Sequence, residues 1–186
     1  MAHEVRLKVA SPELLGMALL SYVSLMLGLV CLGVGGDPVD MEMISAFFPY
    51  AGVLLLLVTA FSFLSEDLFS TILFGIMALV CMGMPSVLSA TSSGRLGIFL
   101  LFGGLFLLNL TLMSLSRPTR LFSLSLSLLA LTLISLGIWA WQGFVEWSIF
   151  GNLAGTFGFL AGLLLFYLPA AMIYNDMRGH KALPIF

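Results

Sequence analysis

Read for charge alone, the chain falls into six long uncharged runs: Leu14–Gly36, Met43–Ser65, Leu68–Gly94, Leu96–Ser116, Leu121–Val145 and Trp147–Asn175. Each reaches the roughly 20 mostly apolar residues that a helix needs to cross a bilayer. The breaks between them are short and carry turn chemistry: GGDPVDME, SED, SGR, SRPTR and QGFVEW. Loops this short make consecutive spans antiparallel. One segment, SLSLSLLALTL at 123–133, alternates as a strand would. A membrane barrel strand is only about 9–11 residues long and needs many alternating siblings. The other five runs are continuously apolar, so the pattern predicts helix throughout. The expected fold is an all-α integral membrane protein, a six-transmembrane-helix bundle over residues 11–175, with tails at 1–10 and 176–186.

The ends of this bundle are marked. Ser11 suits an N-cap, Pro12 the first helical position, and Glu13 the positive end of the helix dipole. The first apolar run is as long as a full span and has no small-residue cleavage site before it, so it reads as a retained helix. At the other end, YNDMRGHKALPIF leaves the bilayer, with Gly179 and Pro184 as stops. Pro49, Pro85 and Pro169 fall within or near spans, where proline kinks or ends a helix.

Composition agrees with the pattern. Hydrophobic residues make up 61% of the chain and charged ones 9%, whereas soluble domains are about half apolar and about a quarter charged. Seven Lys and Arg in all cannot form a phosphate-tracking stripe, so nucleic acid is not an expected partner; the lipid bilayer is. Their placement gives an orientation. Arg6, Lys8, Arg117, Arg120, Arg178 and Lys181 fall on the side of the tails and of loops two and four, and only Arg95 falls opposite. The positive-inside rule then puts both termini in the cytoplasm of a multi-pass cytoplasmic (inner) membrane protein. Trp139, Trp141 and Trp147 stand where interface anchors belong.

The polar inventory narrows the chemistry. No Asp, Glu, Lys, Arg or His is predicted at mid-membrane depth, which argues against a carboxylate proton relay. His3 and His180 lie in the tails and cannot bracket a haem, and Cys31 and Cys81 read as packed small hydrophobes. No cofactor, metal or catalytic constellation is expected, and the sequon at Asn109 is discounted because it lies inside a span. Neutral polar groups remain. The serines can satisfy themselves on the preceding turn of their own helices. Ser21, Asn109 and Asn152 are the candidates to line a path for a small polar solute, with interhelical hydrogen bonding as the alternative for the asparagines. Gly151, Gly155, Gly158 and Gly162 share one side of the last span. They predict close helix packing beside a pore wall.

Several of these residues resemble a known family. SPELLG at 11–16, with Pro12 and Gly16, resembles the NPAPLG motif of the acetate/succinate transporter family, the bacterial succinate–acetate permease type. PYAG at 49–52, ending on Gly52, is similar to that family's FYGG. The chain end is similar too: Tyr167, Asn175, Asp176, Gly179 and the LPI containing Pro184 follow the family's NE-x-x-G-x-x-x-LPI pattern. The resemblance implies a six-helix protomer with its own central pore, a homohexamer, and passage of small carboxylates such as acetate and succinate. It also implies a constriction from the first, third and fifth helices, whose positions here are Leu20, Met77 and Leu128. The family's Phe and Tyr are absent at those positions, its second-helix Gln falls on Leu55, and a late glutamate falls on Met172.

An apolar ring without a cationic partner penalises a carboxylate far more than the neutral acid. The expected function is therefore a channel or transporter that passes a small carboxylic acid in its protonated form, the proton travelling with the substrate as in symport. Two alternatives stay open: a channel for a small neutral amide such as urea, and a non-transporting membrane sensor or assembly component.

Overall fold

A computed structural model describes residues 12–34, 38–89, 94–116, 119–144, 148–179 and 182–184. Six helices follow one another: α1 (Pro12–Cys31), α2 (Pro38–Leu64), α3 (Leu68–Ser89), α4 (Gly94–Ser114), α5 (Arg120–Trp141) and α6 (Ile149–Arg178). All six are long and apolar enough to cross a membrane. The architecture is all-α, as the run pattern predicts. Pro49, Pro85 and Pro169 sit inside α2, α3 and α6 rather than ending them. The expected Ser11 cap, both tail histidines, and Arg6, Lys8, Arg117, Trp147 and Lys181 lie outside the described residues.

The boundaries differ from the uncharged runs where backbone chemistry overrides hydropathy. α1 stops at Cys31, short of Gly36, because Gly33 turns the chain at φ 75°. Its amide donates to Val30 and that of Val34 to Leu29, the paired bonds that satisfy a helix's last carbonyls. α5 ends in the same way. Gly143 has φ 80°, and the amides of Gly143 and Phe144 donate to Ala140 and Trp139. At the end of α2 the left-handed residue is Glu66, at φ 60°, with Glu66 bonded to Phe63 and Asp67 to Ser62. Asp67 then caps α3, its carboxylate accepting from the Ser70 amide at 3.3 Å. α2 begins at Pro38, ahead of the charge-free run, since proline is well placed in the first turn of a helix.

The helices form a closed ring in chain order. α2 packs on α3, α3 on α4, α4 on α5, α5 on α6, and α6 returns to α1, which meets α2. The α4–α5, α1–α6, α2–α3 and α5–α6 seams are extensive, while α1–α2 and α3–α4 are lighter. One apolar core fills the interior, with every helix contributing.

Glycine sets how closely the tight seams approach. At the α1–α6 seam an added Cβ on Gly28 would lie 2.5 Å from the Phe159 backbone nitrogen, and one on Gly162 would lie 2.8 Å from that of Leu25. Gly155 faces Leu32 and Gly158 faces Gly28, so three of the four stripe glycines meet α1. Gly151 differs, since it lies under the indole of Trp139 on α5. The α4–α5 seam repeats the device, with Gly97 against the Gly137 carbonyl and Gly104 against that of Ala130. At α2–α3, Gly52 sits against the Ala78 carbonyl. Backbones that meet in this way gain dispersion contacts over their whole length, the main source of helix association in lipid.

Gly28→Ala is expected to destabilise the bundle by about 1–3 kcal/mol, because the obstructing atom is backbone and cannot rotate away. Gly94→Ala, with nothing within 4 Å of the new methyl, is the matched control. Thermal unfolding in detergent checks the pair: a lowered midpoint for the first and none for the second.

Candidate functional site

The interior of the ring is built from one stripe per helix. On α2 the stripe is Phe48, Ala51, Leu55, Val58 and Ser62, and on α3 it is Ser70, Leu73, Phe74, Met77 and Cys81; all are buried. Spacings of three and four residues place each set on one helix face. α1 contributes Met17, Leu20, Val23, Ser24 and Leu27, and α4 contributes Leu100, Leu107, Leu110 and Ser114.

The three constriction candidates belong to this core or pack against it. Leu20 and Met77 lie inside it, with at most 2% of either exposed, and Leu128 is half-buried and packs against its edge. A further close contact, which the sequence did not single out, lies between α1 and α3. The ring of Phe74 occupies the space beside Gly16, where an added Cβ would fall 2.2 Å from Cζ. Phe74 precedes Met77 by three residues and Gly16 precedes Leu20 by four, so each lies one turn from a constriction candidate on its own helix. A large residue opposite a glycine is a readable signal. Which of the chain's 16 phenylalanines meets that glycine is not.

Several hydroxyls on the buried faces are satisfied within their own helices. Ser125 donates to Phe122 at 2.8 Å, Thr132 to Leu128 at 2.9 Å, Thr111 to Leu107 at 2.9 Å and Thr59 to Leu55 at 2.8 Å. Ser24 instead crosses the α1–α6 seam to the Gly158 carbonyl at 2.7 Å. The polar side chains of these buried faces are neutral hydroxyls, and several are occupied locally.

The polar path candidates separate. Ser21 is buried, one position beyond Leu20 on α1. Asn109 and Asn152 are exposed. Asn109 shares its face of α4 with exposed Leu105, Phe106, Leu112 and Met113, and its Nδ2 donates to the Leu105 carbonyl at 3.1 Å. Asn152 neighbours exposed Ile149, Leu153 and Leu160 near the start of α6. Among the described residues no three His, Cys, Asp or Glu side chains come together as metal ligands would. Cys31 and Cys81 are buried free thiols.

The motif residues at the chain's end are brought together by one side chain. Asn175 Oδ1 accepts from the Ala182 and Leu183 amides at 2.9 and 2.8 Å, and Nδ2 donates to the Leu183 carbonyl at 2.9 Å. Two turns back along α6, the Tyr167 hydroxyl donates to the Pro184 carbonyl at 3.0 Å. Gly179 makes the reversal possible at φ 66°. The segment 182–184 thus lies back along α6, held by Asn175 as a strand neighbour would hold it.

No protein-family model matches the chain, and no curated protein matches it. Among solved structures, the chain matches that of a protein described as the bacterial acetate channel SatP. The TM-score is 0.82 at 20% identity, over 96% of this chain and all of that one. The two share their fold from end to end.

Asn175→Ala removes the acceptor shared by the Ala182 and Leu183 amides. Hydrogen exchange is expected to find both amides protected in the native chain and unprotected in the variant. Tyr167→Phe, which loses only the bond to Pro184, should leave them protected.

Proposed function

We propose that the chain is a membrane channel or transporter for small monocarboxylic acids of the acetate type, with succinate as the larger case. The observation that carries this reading is the end-to-end likeness of fold to a protein described as an acetate channel. The interior chemistry supports it independently: the layers at Leu20, Met77 and Phe74 are apolar and buried. A bare carboxylate would lose its hydration there without a cation to replace it, while the protonated acid loses far less. The solute therefore passes as the neutral acid and brings its own proton. No interior carboxylate is needed for that coupling.

At rest the throat is closed by side chains, and passage takes rotamer changes in Leu20, Met77 and Leu128. Methionine, unbranched and flexible, suits such a position. Ser21, beside Leu20, offers a hydroxyl to the solute next to the ring. The protomers assemble as a homohexamer with a pore in each. The positive-inside bias supports cytoplasmic termini and residence in the cytoplasmic (inner) membrane.

The pH dependence tests the mechanism. A carboxyl group has a pKa of about 4–5 by analogy with Glu. Above that value the neutral fraction rises about tenfold for each pH unit of acidification. Labelled acetate uptake into proteoliposomes, corrected with protein-free liposomes, should rise accordingly between pH 7 and 6; robust uptake that ignores pH overturns the neutral-acid route. Leu128→Ala is expected to raise flux several-fold by widening the ring. If acetate, acetamide and urea all stay outside intact reconstituted protein, the non-transporting reading replaces this one, and if the amides alone enter, the amide-channel reading does.

A further inference from the structure

The interior stripes of α2, α3, α4 and α5 share a feature at one end of the bundle, the end that carries the α2–α3 and α4–α5 turns. Each closes on a buried serine: Ser62 in the last turn of α2, Ser70 in the first turn of α3, Ser114 as the last residue of α4, and Ser123 in the first turn of α5. Contacts tie these turns into one layer. Phe69 and Phe122, each one residue before its serine, meet edge to face with ring centroids 6.1 Å apart. Ser114 Oγ lies 2.8 Å from Ser123 Oγ and 2.7 Å from the Thr111 carbonyl.

Three of the four hydroxyls are engaged, since Ser70 Oγ donates to the Asp67 carboxylate. The fourth is not. Ser62 is fully buried, and its Oγ is the one buried side-chain polar atom among the described residues without a hydrogen-bond partner. Its neighbours on α2 show that a local solution exists: Thr59 donates to Leu55 and Ser65 to Phe61, each one turn back. The Ser62 carbonyl takes the Asp67 amide that closes α2, so the backbone is satisfied while the side chain is not. Ser62 lies on the same buried face of α2 as Leu55, Val58 and Phe48, the side turned to the bundle. An unpaired buried hydroxyl is costly, and it belongs where a ligand supplies the missing partner.

We propose that Ser62 Oγ is the binding group of a solute station at this end of the path, beyond the apolar layers of Met77 and Phe74, and that it takes the neutral carboxyl group of a small acid. This rests on the permeation reading above. A serine hydroxyl both donates and accepts, and –COOH offers the complementary pair of an acceptor carbonyl and a donor hydroxyl. A carboxylate could only accept and would call for a cation, and none of the four serines supplies one. A single hydrogen bond holds the solute weakly, as conduction through successive sites requires.

Thermal unfolding of the detergent-purified chain at pH 5 reads this station without reading flux. Sodium acetate, against sodium chloride at equal ionic strength, should raise the midpoint of the native protein. Without solute, S62A should unfold at the same or a higher temperature, because the unpaired hydroxyl is gone, and should lose most of the acetate-dependent rise. In uptake, S62A should raise the half-saturating acetate concentration about two- to tenfold, the range expected for one hydrogen bond to a neutral group. Equal acetate shifts in S62A and the native protein overturn the station, as does a solute-free S62A that is less stable than native. So does a native protein that neither acetate nor acetamide shifts. A shift produced by acetamide alone and abolished in S62A keeps a station at Ser62 but overturns its assignment to acids, and with it the acid reading of function.

Discussion

The ring closes because its first and last helices touch backbone to backbone. At Gly28 and Gly158 no side chain separates α1 from α6, and Ser24 bonds across the seam to the Gly158 carbonyl. Lipid tails are as apolar as leucine, so oiliness alone gives two spans no reason to associate. Close approach does, through dispersion summed along the seam. Glycine in a helix interior is worth about 1 kcal/mol less than alanine, and the stripe on α6 carries that penalty at four positions. Contact with α1 and Trp139 offsets it. The same solution recurs at Gly97 with Gly137 and at Gly52 with the Ala78 carbonyl. Four tight seams and two lighter ones thus enclose the interior.

That enclosure determines what the interior can contain. With backbones close at the seams, the inward stripes must fill the axis, and they do so with Leu20, Phe48, Leu55, Phe74 and Met77. Gly16 makes room for Phe74, so packing and narrowing arise from one substitution pattern. Hydroxyls in such a core find a carbonyl one turn back, as Thr59, Thr111, Ser125 and Thr132 do, or a partner on a neighbouring segment, as Ser24 and Ser123 do. Ser62 Oγ does neither, which is why it stands out among the described buried polar atoms.

Much of the architecture was legible in the sequence. Six uncharged runs predicted six helices, and the glycine spacing on the last predicted a packed face. The boundaries shifted where a left-handed residue ended a helix, at Gly33, Glu66 and Gly143; hydropathy carries no trace of such turns. Helix faces were not legible. These helices are apolar nearly all round, so polarity could not say which way Asn109 or Asn152 points, and both stand outward. The partner of the glycine stripe was equally hidden, because Gly28 is one glycine in an apolar run until α6 lies against it. Ser62 and Ser65 look alike in sequence, and only burial and the neighbouring turn separate them.

Under the proposed permeation reading, the arrangement would link selectivity to proton handling without an ionisable residue in the described interior. An apolar throat favours whichever solute has the least charge to desolvate, so on that reading an acid in equilibrium with its anion would be filtered by protonation state. The proposed binding hydroxyls, Ser21 beside Leu20 and Ser62 on the far side of Met77, would then bond the neutral form briefly without stabilising it enough to trap it. A buried carboxylate or lysine in the same place would hold one charge state tightly and slow release. An interior face of neutral hydroxyls and apolar side chains thus suits the proposed path, since each contact with the solute would be weak.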